Sequence, residues 1–147
     1  MANPELRYQT LLGKLQTRGC RITSHRLALL RLLATSEGHP NAAQLYAALR
    51  AQFPTISLAT VYKTLDLLKE EGEVLEIPLR GESHFDGNKP YPHPHLICTR
   101  CGKILDGDAV RALHALNQEI KDTYDFQVAQ SQLVFYGVCC ECQKNAP

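Results

Sequence analysis

Long apolar runs are missing from this 147-residue sequence. No segment reaches the roughly 18 consecutive apolar residues that a membrane-spanning helix requires. The first residues, MANPELRYQT, also lack the apolar segment of a secretory signal. We therefore expect neither membrane insertion nor export, and we expect the protein to reside in the cytoplasm.

A strong net charge is also missing, since the formal charge is +1 at pH 7. The charge is unevenly distributed, however, because residues 1–50 contain seven Lys or Arg against two Glu. A basic N-terminal third is compatible with a polyanionic partner, and it is equally compatible with solvated helix faces.

The N-terminal part of the chain has the pattern of short helices followed by a hairpin. Leucines at helical spacing, cap residues and terminal glycines predict helices over residues 5–17, from Thr23 or Ser24 to Gly38, from Asn41, and from Ser57 to Gly72. The segments EVLEIPL and ESHFD then flank Arg80-Gly81, which predicts a β-hairpin. This order favours a winged helix-turn-helix domain over residues 1–86, with a generic helical bundle as the alternative.

The remainder of the chain predicts a hinge and a second, smaller domain. Residues 87–94, GNKPYPHP, are rich in proline and turn formers and are typical of a hinge. Residues 95–147 predict an α+β unit with strands at HLIC and KILD, a helix over 108–124 and a strand around 127–138. A unit of this size has a small hydrophobic core, so it requires a stabilising cross-link or a partner.

Four of the six cysteines form two C-x-x-C pairs, which are 37 residues apart: Cys98 with Cys101, and Cys139 with Cys142. In a reducing compartment such pairs indicate metal more often than disulfides, and four thiolates are the preferred ligands of structural Zn²⁺. A thioredoxin-like redox pair is the alternative, but no βαβ unit surrounds either pair. Cys140 is a conceivable substitute within the second pair, and Cys20 is expected to be a small core residue.

Nitrogen and oxygen ligands occur close to the first pair. His93 and His95 stand two residues apart, which on a strand places both rings on one face. Asp86, Asp106 and His39 are further candidates, although no local pattern joins them. A mixed imidazole and carboxylate set favours Fe²⁺ or Mn²⁺ over zinc.

Six segments, in this order, resemble the ferric uptake regulator family of bacterial metal-dependent repressors across essentially the whole chain: GCRITSHR, GHPNAAQLY, ISLATVYKTLDLLKEEG, HFD, HPHLICTRCGKILD and YGVCCEC. The resemblance implies a homodimer with an N-terminal winged-helix DNA-binding domain and a C-terminal α+β dimerisation domain. It also implies two metal sites in each subunit.

By this resemblance, the structural zinc site falls on Cys98, Cys101, Cys139 and Cys142. The regulatory site falls on five other residues and joins the two domains through one Fe²⁺ or Mn²⁺ ion, a site that Zn²⁺ can also occupy in vitro: His39, Asp86, His93, His95 and Asp106.

The resemblance extends to one branch of the family. Iron-uptake repressors usually carry Glu where this chain has Asp86, whereas peroxide-sensing repressors carry Asp, so a peroxide-responsive repressor is favoured. In that branch, bound Fe²⁺ reacts with peroxide and the oxidation-sensitive ligands are His39 and His93, whereas Mn²⁺ represses without this reaction. Iron-responsive and zinc-responsive repressors are the alternatives. No cysteine lies between Cys20 and Cys98, which disfavours the zinc-responsive branch.

DNA recognition is expected from a helix over residues 57–71 that enters the major groove of an operator with an inverted repeat. The resemblance assigns base contact to Tyr62. Lys63 replaces an Arg that is common in the iron-uptake branch, so bidentate guanine recognition is lost and phosphate contact is its expected role. The expected DNA-binding set is Arg21, Arg26, Ser57, Thr60, Tyr62 and Lys63.

The sequence also bears on two further histidines and two other classes of protein. His84 is either an additional ligand or a partly exposed wing residue, and His114 is expected to be a polar surface residue. A metalloenzyme is disfavoured, because five protein ligands leave little open coordination and no nucleophile–base pair is present. A zinc-ribbon interaction module remains as an alternative that predicts no operator binding.

Overall fold

The computed structural model describes residues 3–145, which form two compact units, one up to Pro90 and one from Tyr91. The division lies inside the segment 87–94, and residues 87–93 belong to no helix or strand. Within the described residues, no helix is both long and apolar enough to span a bilayer.

The first unit contains four helices and a β-hairpin: α1 Pro4–Thr17, α2 Ser24–Thr35, α3 Ala42–Arg50, α4 Leu58–Glu70, β1 Leu75–Leu79 and β2 Glu82–Asp86. The predicted caps are present, because Thr23 and Ser57 accept N–H groups in the first turns of α2 and α4. Asn41 and Gln44 form a reciprocal capping box at α3.

One core holds this unit together. It is built from the leucines that recur at helical spacing, including Leu11, Leu30, Leu45 and Leu65, and it extends to Phe85 of the hairpin. The turn between the strands places both Arg80 and Gly81 at positive φ, 50° and 78°, which is the backbone of a tight two-residue hairpin connection. The order of helices followed by a wing is that of a winged helix-turn-helix domain.

The second unit contains a three-stranded sheet and two helices: β3 Pro94–Cys98, β4 Ile104–Asp106, α5 Val110–Tyr124, β5 Leu133–Gly137 and α6 Cys140–Lys144. The central strand β3 pairs antiparallel with β4 and parallel with β5. Few apolar side chains are buried here, chiefly Ile97 and Leu113, which agrees with the thin core expected from its length.

The structure differs from the sequence-based prediction in detail. The helix predicted from residue 108 begins at Val110 and has no side-chain cap. The strand predicted over 127–138 is limited to Leu133–Gly137, because its residues pair with the five residues of β3. The helix α6 was not predicted, since five residues are too few to show a periodic apolar pattern.

Candidate metal centres

The four cysteines of the two C-x-x-C pairs converge in the second unit. Each offers a sulfur, and all four sulfurs lie within 4.8 Å of one another. Cys98 ends β3, Cys101 follows in the adjoining turn, and Cys139 and Cys142 flank the start of α6. The turn is closed by hydrogen bonds from Cys98 N to Lys103 O (2.9 Å) and from Gly102 N to Cys98 O (2.9 Å).

The distances in this cluster fit a tetrahedral zinc ion. Zn–S bonds of about 2.3 Å at tetrahedral angles place two sulfurs roughly 3.8 Å apart. Cys101 Sγ and Cys139 Sγ are 3.8 Å apart, far beyond the S–S bond of about 2.05 Å in a disulfide. The four cysteines are thiols and not disulfides.

The electrostatics of the cluster also favour a cation. Backbone N–H groups, first of Cys101 and then of Cys139, lower the pKa of the Cys98 thiol to about 6. The neighbouring sulfurs act in the opposite direction on Cys142, where hydrogen bonds with Cys139 and then Cys101 raise the pKa to about 12. Four thiolates at these distances would repel one another, and a cation at their centre would offset this repulsion.

Cys140 and Cys20 lie outside this cluster. Cys140 is exposed on α6, whereas Cys20 is half-buried and packs against the core of the first unit. The structure therefore assembles the cluster from the pairs with two-residue spacing.

The first unit brings together His39 and Asp86. His39 Nε2 lies 3.5 Å from Asp86 Oδ2, and the two side chains are 6% and 5% exposed. The loop that carries His39 is attached to β2 by a hydrogen bond from Phe85 N to Pro40 O (2.9 Å). Asp86 Oδ1 accepts the N–H groups of Asn88 (3.0 Å) and Lys89 (3.1 Å), which directs Oδ2 towards His39.

His84 supports this arrangement from the same strand as Asp86. Its ring Nδ1–H donates to the carbonyl oxygen of His39 at 2.6 Å. The ring therefore fixes the backbone of His39, a contact between residues 45 positions apart that no sequence pattern indicates.

The second unit brings together His93, His95 and Asp106. The two imidazole centroids are 4.4 Å apart, and Asp106 Oδ1 lies 3.3 Å from His93 Nε2 and 3.8 Å from His95 Nε2. Both histidines are buried. His93 Nδ1–H donates to Tyr91 O at 2.8 Å, which leaves the Nε2 lone pair on the side of Asp106, as in metal-bound histidines.

These separations are compatible with atoms that bind one metal ion. Nitrogen and oxygen atoms bound at about 2.1 Å to one ion are roughly 3.0–3.4 Å from each other. His93 and Asp106, at 3.3 Å, fall within this range, and His39 and Asp86, at 3.5 Å, lie just above it. Each unit thus carries imidazole and carboxylate groups, without sulfur, that could form part of a metal site.

The residues expected to bind DNA occupy the first unit. Tyr62 and Lys63 are exposed on α4, and Tyr62 is 47% exposed despite its aromatic ring. The Ser57 and Thr60 hydroxyls form a 2.9 Å hydrogen bond at the start of that helix. Arg21 is exposed, and Arg26 Nη1 donates to its carbonyl oxygen at 2.7 Å.

The count of basic residues overstates the charge that this unit presents. Arg7 is buried and bound to Glu73, Arg18 is bound to Glu70 and Glu71, and Arg31 lies 3.6 Å from Glu5. The positive charge of the first 50 residues is therefore partly compensated within the unit, which weakens the argument from composition alone. His114 is exposed on α5, as expected of a surface residue.

Comparisons with known proteins agree with the fold and identify the family. A model of the ferric uptake regulator family matches residues 17–136. The peroxide-responsive repressor PerR of Staphylococcus epidermidis is 39% identical over 135 residues, which cover 91% of this chain and 89% of that protein.

Two solved structures have the same fold. The Helicobacter pylori ferric uptake regulator superposes with a TM-score of 0.77 at 21% identity, covering 96% of this chain and 94% of the other. The Campylobacter jejuni peroxide stress regulator superposes with a TM-score of 0.70 at 30% identity, covering 90% and 95% respectively.

Proposed function

Because the chain belongs to the ferric uptake regulator family, we propose that it is a peroxide-responsive repressor whose operator affinity depends on a regulatory Fe²⁺ or Mn²⁺ ion. Members of this family are metal-responsive, DNA-binding transcriptional repressors, and the protein is a regulator rather than an enzyme.

The observation that carries the proposal is the carboxylate of Asp86 beside His39. This pair offers oxygen and nitrogen atoms, whereas the cysteine cluster offers only sulfur. A regulatory ion held by His39, Asp86, His93, His95 and Asp106 would have only imidazole and carboxylate ligands, which suit Fe²⁺ and Mn²⁺. The structural ion of the cysteine cluster would be Zn²⁺. Zn²⁺ can also occupy the nitrogen and oxygen site in vitro, since imidazole binds it well.

We assign the regulatory ion a simple thermodynamic role. An ion can shift a conformational equilibrium only by its differential affinity for the two states, and a near-complete switch requires roughly 5.5 kcal/mol of preference. Ligands contributed by both units, His39 and Asp86 from one and His93, His95 and Asp106 from the other, would give the DNA-competent arrangement that preference. The segment 87–94 then acts as the hinge between domains 1–86 and 95–147.

Peroxide would reverse repression through the ligands themselves. Bound Fe²⁺ supplies the redox chemistry that activates peroxide. One oxygen atom of H₂O₂ is added to the imidazole carbon of His39 or His93 in place of hydrogen, and the other leaves as water. An oxidised imidazole ring is a poorer ligand, so the regulatory ion dissociates and operator affinity falls.

DNA contact is assigned to α4 and its surroundings. The N-terminal half of α4 would enter the major groove, with Tyr62 against base edges and Lys63 on a phosphate. Arg21 and Arg26 would approach the backbone, and Ser57 and Thr60 would lie at the helix start nearest the DNA. Operator binding requires access to the chromosome, so the proposal places the protein in the cytoplasm.

A homodimer on an inverted repeat completes the proposal, and the second unit supports it. β5 is an edge strand of the three-stranded sheet, and it carries Phe135 and Tyr136 more than half exposed. α5 is amphipathic yet exposes Val110 and Leu116. Apolar side chains in this number on a unit with a thin core favour burial against a second copy.

The test is an operator-binding titration with Fe²⁺, Mn²⁺ and Zn²⁺ in turn, repeated after hydrogen peroxide. We expect repression-competent binding with Mn²⁺ before and after peroxide, and binding with Fe²⁺ that is lost after peroxide. Mass spectrometry of the Fe²⁺-loaded protein should then show one added oxygen on peptides that contain His39 or His93. Unmodified histidines with retained operator binding would contradict peroxide sensing.

The same titration separates the alternatives. Loss of binding when Fe²⁺ is removed, without any response to peroxide, would indicate an iron-responsive repressor. A response to Zn²⁺ alone would indicate a zinc-responsive one. Operator affinity that is unchanged by chelation would contradict a metal-dependent repressor. Absence of operator binding under every condition would favour the zinc-ribbon interaction module.

A further inference from the structure

Arg7 connects the first helix to the turn that follows Asp86. Its side chain is 6% exposed, although arginine is rarely buried without partners. The Nε–H group donates to the carbonyl oxygen of Gly87 at 2.7 Å, across 80 residues of sequence. The other side of the guanidinium binds Glu73, through the carboxylate and through the backbone carbonyl, both at 2.5 Å.

The turn after Asp86 is fixed at two further points. Asp86 Oδ1 accepts the N–H groups of Asn88 and Lys89, which folds the chain back on the carboxylate. Gly87 is buried, and a Cβ atom at this position would lie 2.9 Å from Leu33 Cβ, so the turn rests directly on α2. The turn after Asp86 is therefore held on one side by Arg7 of α1 and packs on the other side against α2.

These contacts determine where the carboxylate of Asp86 points. The hydrogen bond from Arg7 fixes Gly87, the residue directly after Asp86. The hydrogen bond from Asn88 N–H to Asp86 Oδ1 then links the position of this turn to the orientation of the carboxylate. Oδ2 is in consequence held 3.5 Å from His39 Nε2. Groups that orient metal ligands in this way typically contribute tenfold to hundredfold to metal affinity.

We propose that Arg7 is a positioning residue for the regulatory metal ion, which acts through the Gly87 carbonyl to orient the Asp86 carboxylate. The inference rests on the proposed function, because it assumes that Asp86 is a ligand. It gives α1 a role although this helix contributes no ligand. The orientation of Asp86 in the first unit depends on the position of α1.

The test separates a positioning role from a merely structural one. Arg7→Lys keeps a positive charge for Glu73 but removes the Nε–H group that donates to Gly87 O. We expect Mn²⁺ affinity, measured from the EPR signal of free Mn²⁺, to fall about tenfold. In the metal-free protein, the amides of Asn88 and Lys89 should exchange with solvent faster than in the wild type.

The matched control is Lys14→Gln. Lys14 Nζ lies 3.7 Å from Glu73 Oε1 in the same cluster, but it has no hydrogen bond to Gly87. This variant should leave Mn²⁺ affinity within about twofold of the wild type. Gly87→Ala serves as a second variant in case Arg7→Lys folds poorly, because it displaces the same turn from the side of Leu33. We expect the same loss of Mn²⁺ affinity from it.

A double-mutant cycle with Asp86→Asn gives the deciding comparison. The Asn side chain keeps an oxygen for the Asn88 and Lys89 amides but is a weaker ligand. If Arg7 acts through Asp86, Arg7→Lys should cost less than twofold in Mn²⁺ affinity on this background. An equal loss on both backgrounds, or no loss on the wild-type background with the fold intact, would overturn the proposal.

The cycle also distinguishes failure of this inference from failure of the proposed function. Asp86→Asn with unchanged Mn²⁺ affinity would remove Asp86 from the regulatory site, and the role of Arg7 would fall with it. Weakened binding in Asp86→Asn together with an unaffected Arg7→Lys variant would overturn the role of Arg7 alone.

Discussion

Asp106 is the direct cross-strand partner of His95 in the antiparallel pairing of β4 with β3, and its Oδ1 lies 3.8 Å from His95 Nε2. The pairing register, rather than a flexible loop, sets this distance, because opposite residues of a strand pair have their side chains on the same face. The same carboxylate oxygen is 3.3 Å from His93 Nε2. The strands β3 and β4, with the residue directly before β3, thus place one carboxylate between two imidazoles.

This relationship predicts the effect of Asp106→Asn. The substitution keeps the shape of the side chain but removes the negative charge that a divalent ion requires. We expect Mn²⁺ affinity to fall by about tenfold to hundredfold, while the zinc content stays constant because the cysteine cluster is separate. Asp122→Asn on the exposed face of α5 is the control and should bind Mn²⁺ normally. Equal Mn²⁺ affinity in both variants would exclude Asp106 as a ligand.

His39→Ala should uncouple metal from DNA without unfolding the protein. The side chain lies in a loop, and its removal leaves the leucine core of the first unit intact. We expect operator affinity with Mn²⁺, measured by fluorescence anisotropy, to equal that of the metal-free wild type. His114→Ala replaces an exposed histidine on α5 and should retain the response. A normal Mn²⁺ response in His39→Ala would contradict the assignment.

The cysteine cluster predicts two opposite outcomes for neighbouring residues. Cys98→Ser removes a buried ligand of the proposed zinc ion, and structural zinc contributes on the order of 10–16 kcal/mol to folding. We expect loss of zinc by elemental analysis and unfolding of the second unit by circular dichroism. Cys140→Ser, at an exposed position outside the cluster, should keep both zinc and fold. Zinc loss in Cys140→Ser would show that Cys140 is a ligand instead.

The fold could be predicted from the sequence to the extent that local signals agreed with it. The helices of the first unit combine apolar periodicity with caps such as Ser57 and stops such as Gly72, and all four are present. The extent of β5 could not be predicted, because pairing with β3 and not composition determines it. α6 is too short for a periodic signal, and its position follows from the cysteines on either side of its first turn.

The two candidate metal sites also differ in how far the sequence predicts them. Spacing alone identified the four cysteines, since each C-x-x-C pair is a local pattern. It did not join His39 to Asp86, because that proximity depends on the loop before α3 pairing with β2, as in the hydrogen bond from Phe85 N to Pro40 O. Family resemblance supplied this pair. The contact of Arg7 with Gly87 was found only in the structure, because it links positions 80 residues apart.

A pH-dependent contribution to stability is expected from Glu76. Hydrogen bonds, first from Lys69 Nζ at 2.6 Å and then from Ser83, lower the pKa of Glu76 below its ordinary value of 4.5. A lowered carboxyl pKa stabilises the fold above the unfolded value, and this stabilisation is lost as the pH falls through the folded value. Because Glu76 is 39% exposed, screening limits the contribution to about 0.3 kcal/mol.

Glu76→Gln should therefore be slightly less stable than the wild type at pH 7. The difference should shrink as the pH falls below 4.5 and disappear once the pH is below the lowered pKa of Glu76. Thermal melts of both proteins across this pH range measure the difference directly, and any acid loss of metal affects both alike. A difference that persists when Glu76 is protonated would show that packing, not charge, is responsible.

Lys63 and Lys69 lie on the same helix, and their environments predict different effects on DNA binding. Lys63 is exposed, whereas Lys69 is held by Glu76 at 2.6 Å and by Asp66 at 3.3 Å. A lysine that binds a phosphate releases counterions, so its removal should reduce the slope of log affinity against log salt by about 1. We expect this reduction in Lys63→Gln with similar weakening on all operator sequences. Lys69→Gln should leave the slope unchanged, because its charge is already compensated. Loss of sequence preference in Lys63→Gln without a change of slope would instead assign Lys63 to base recognition.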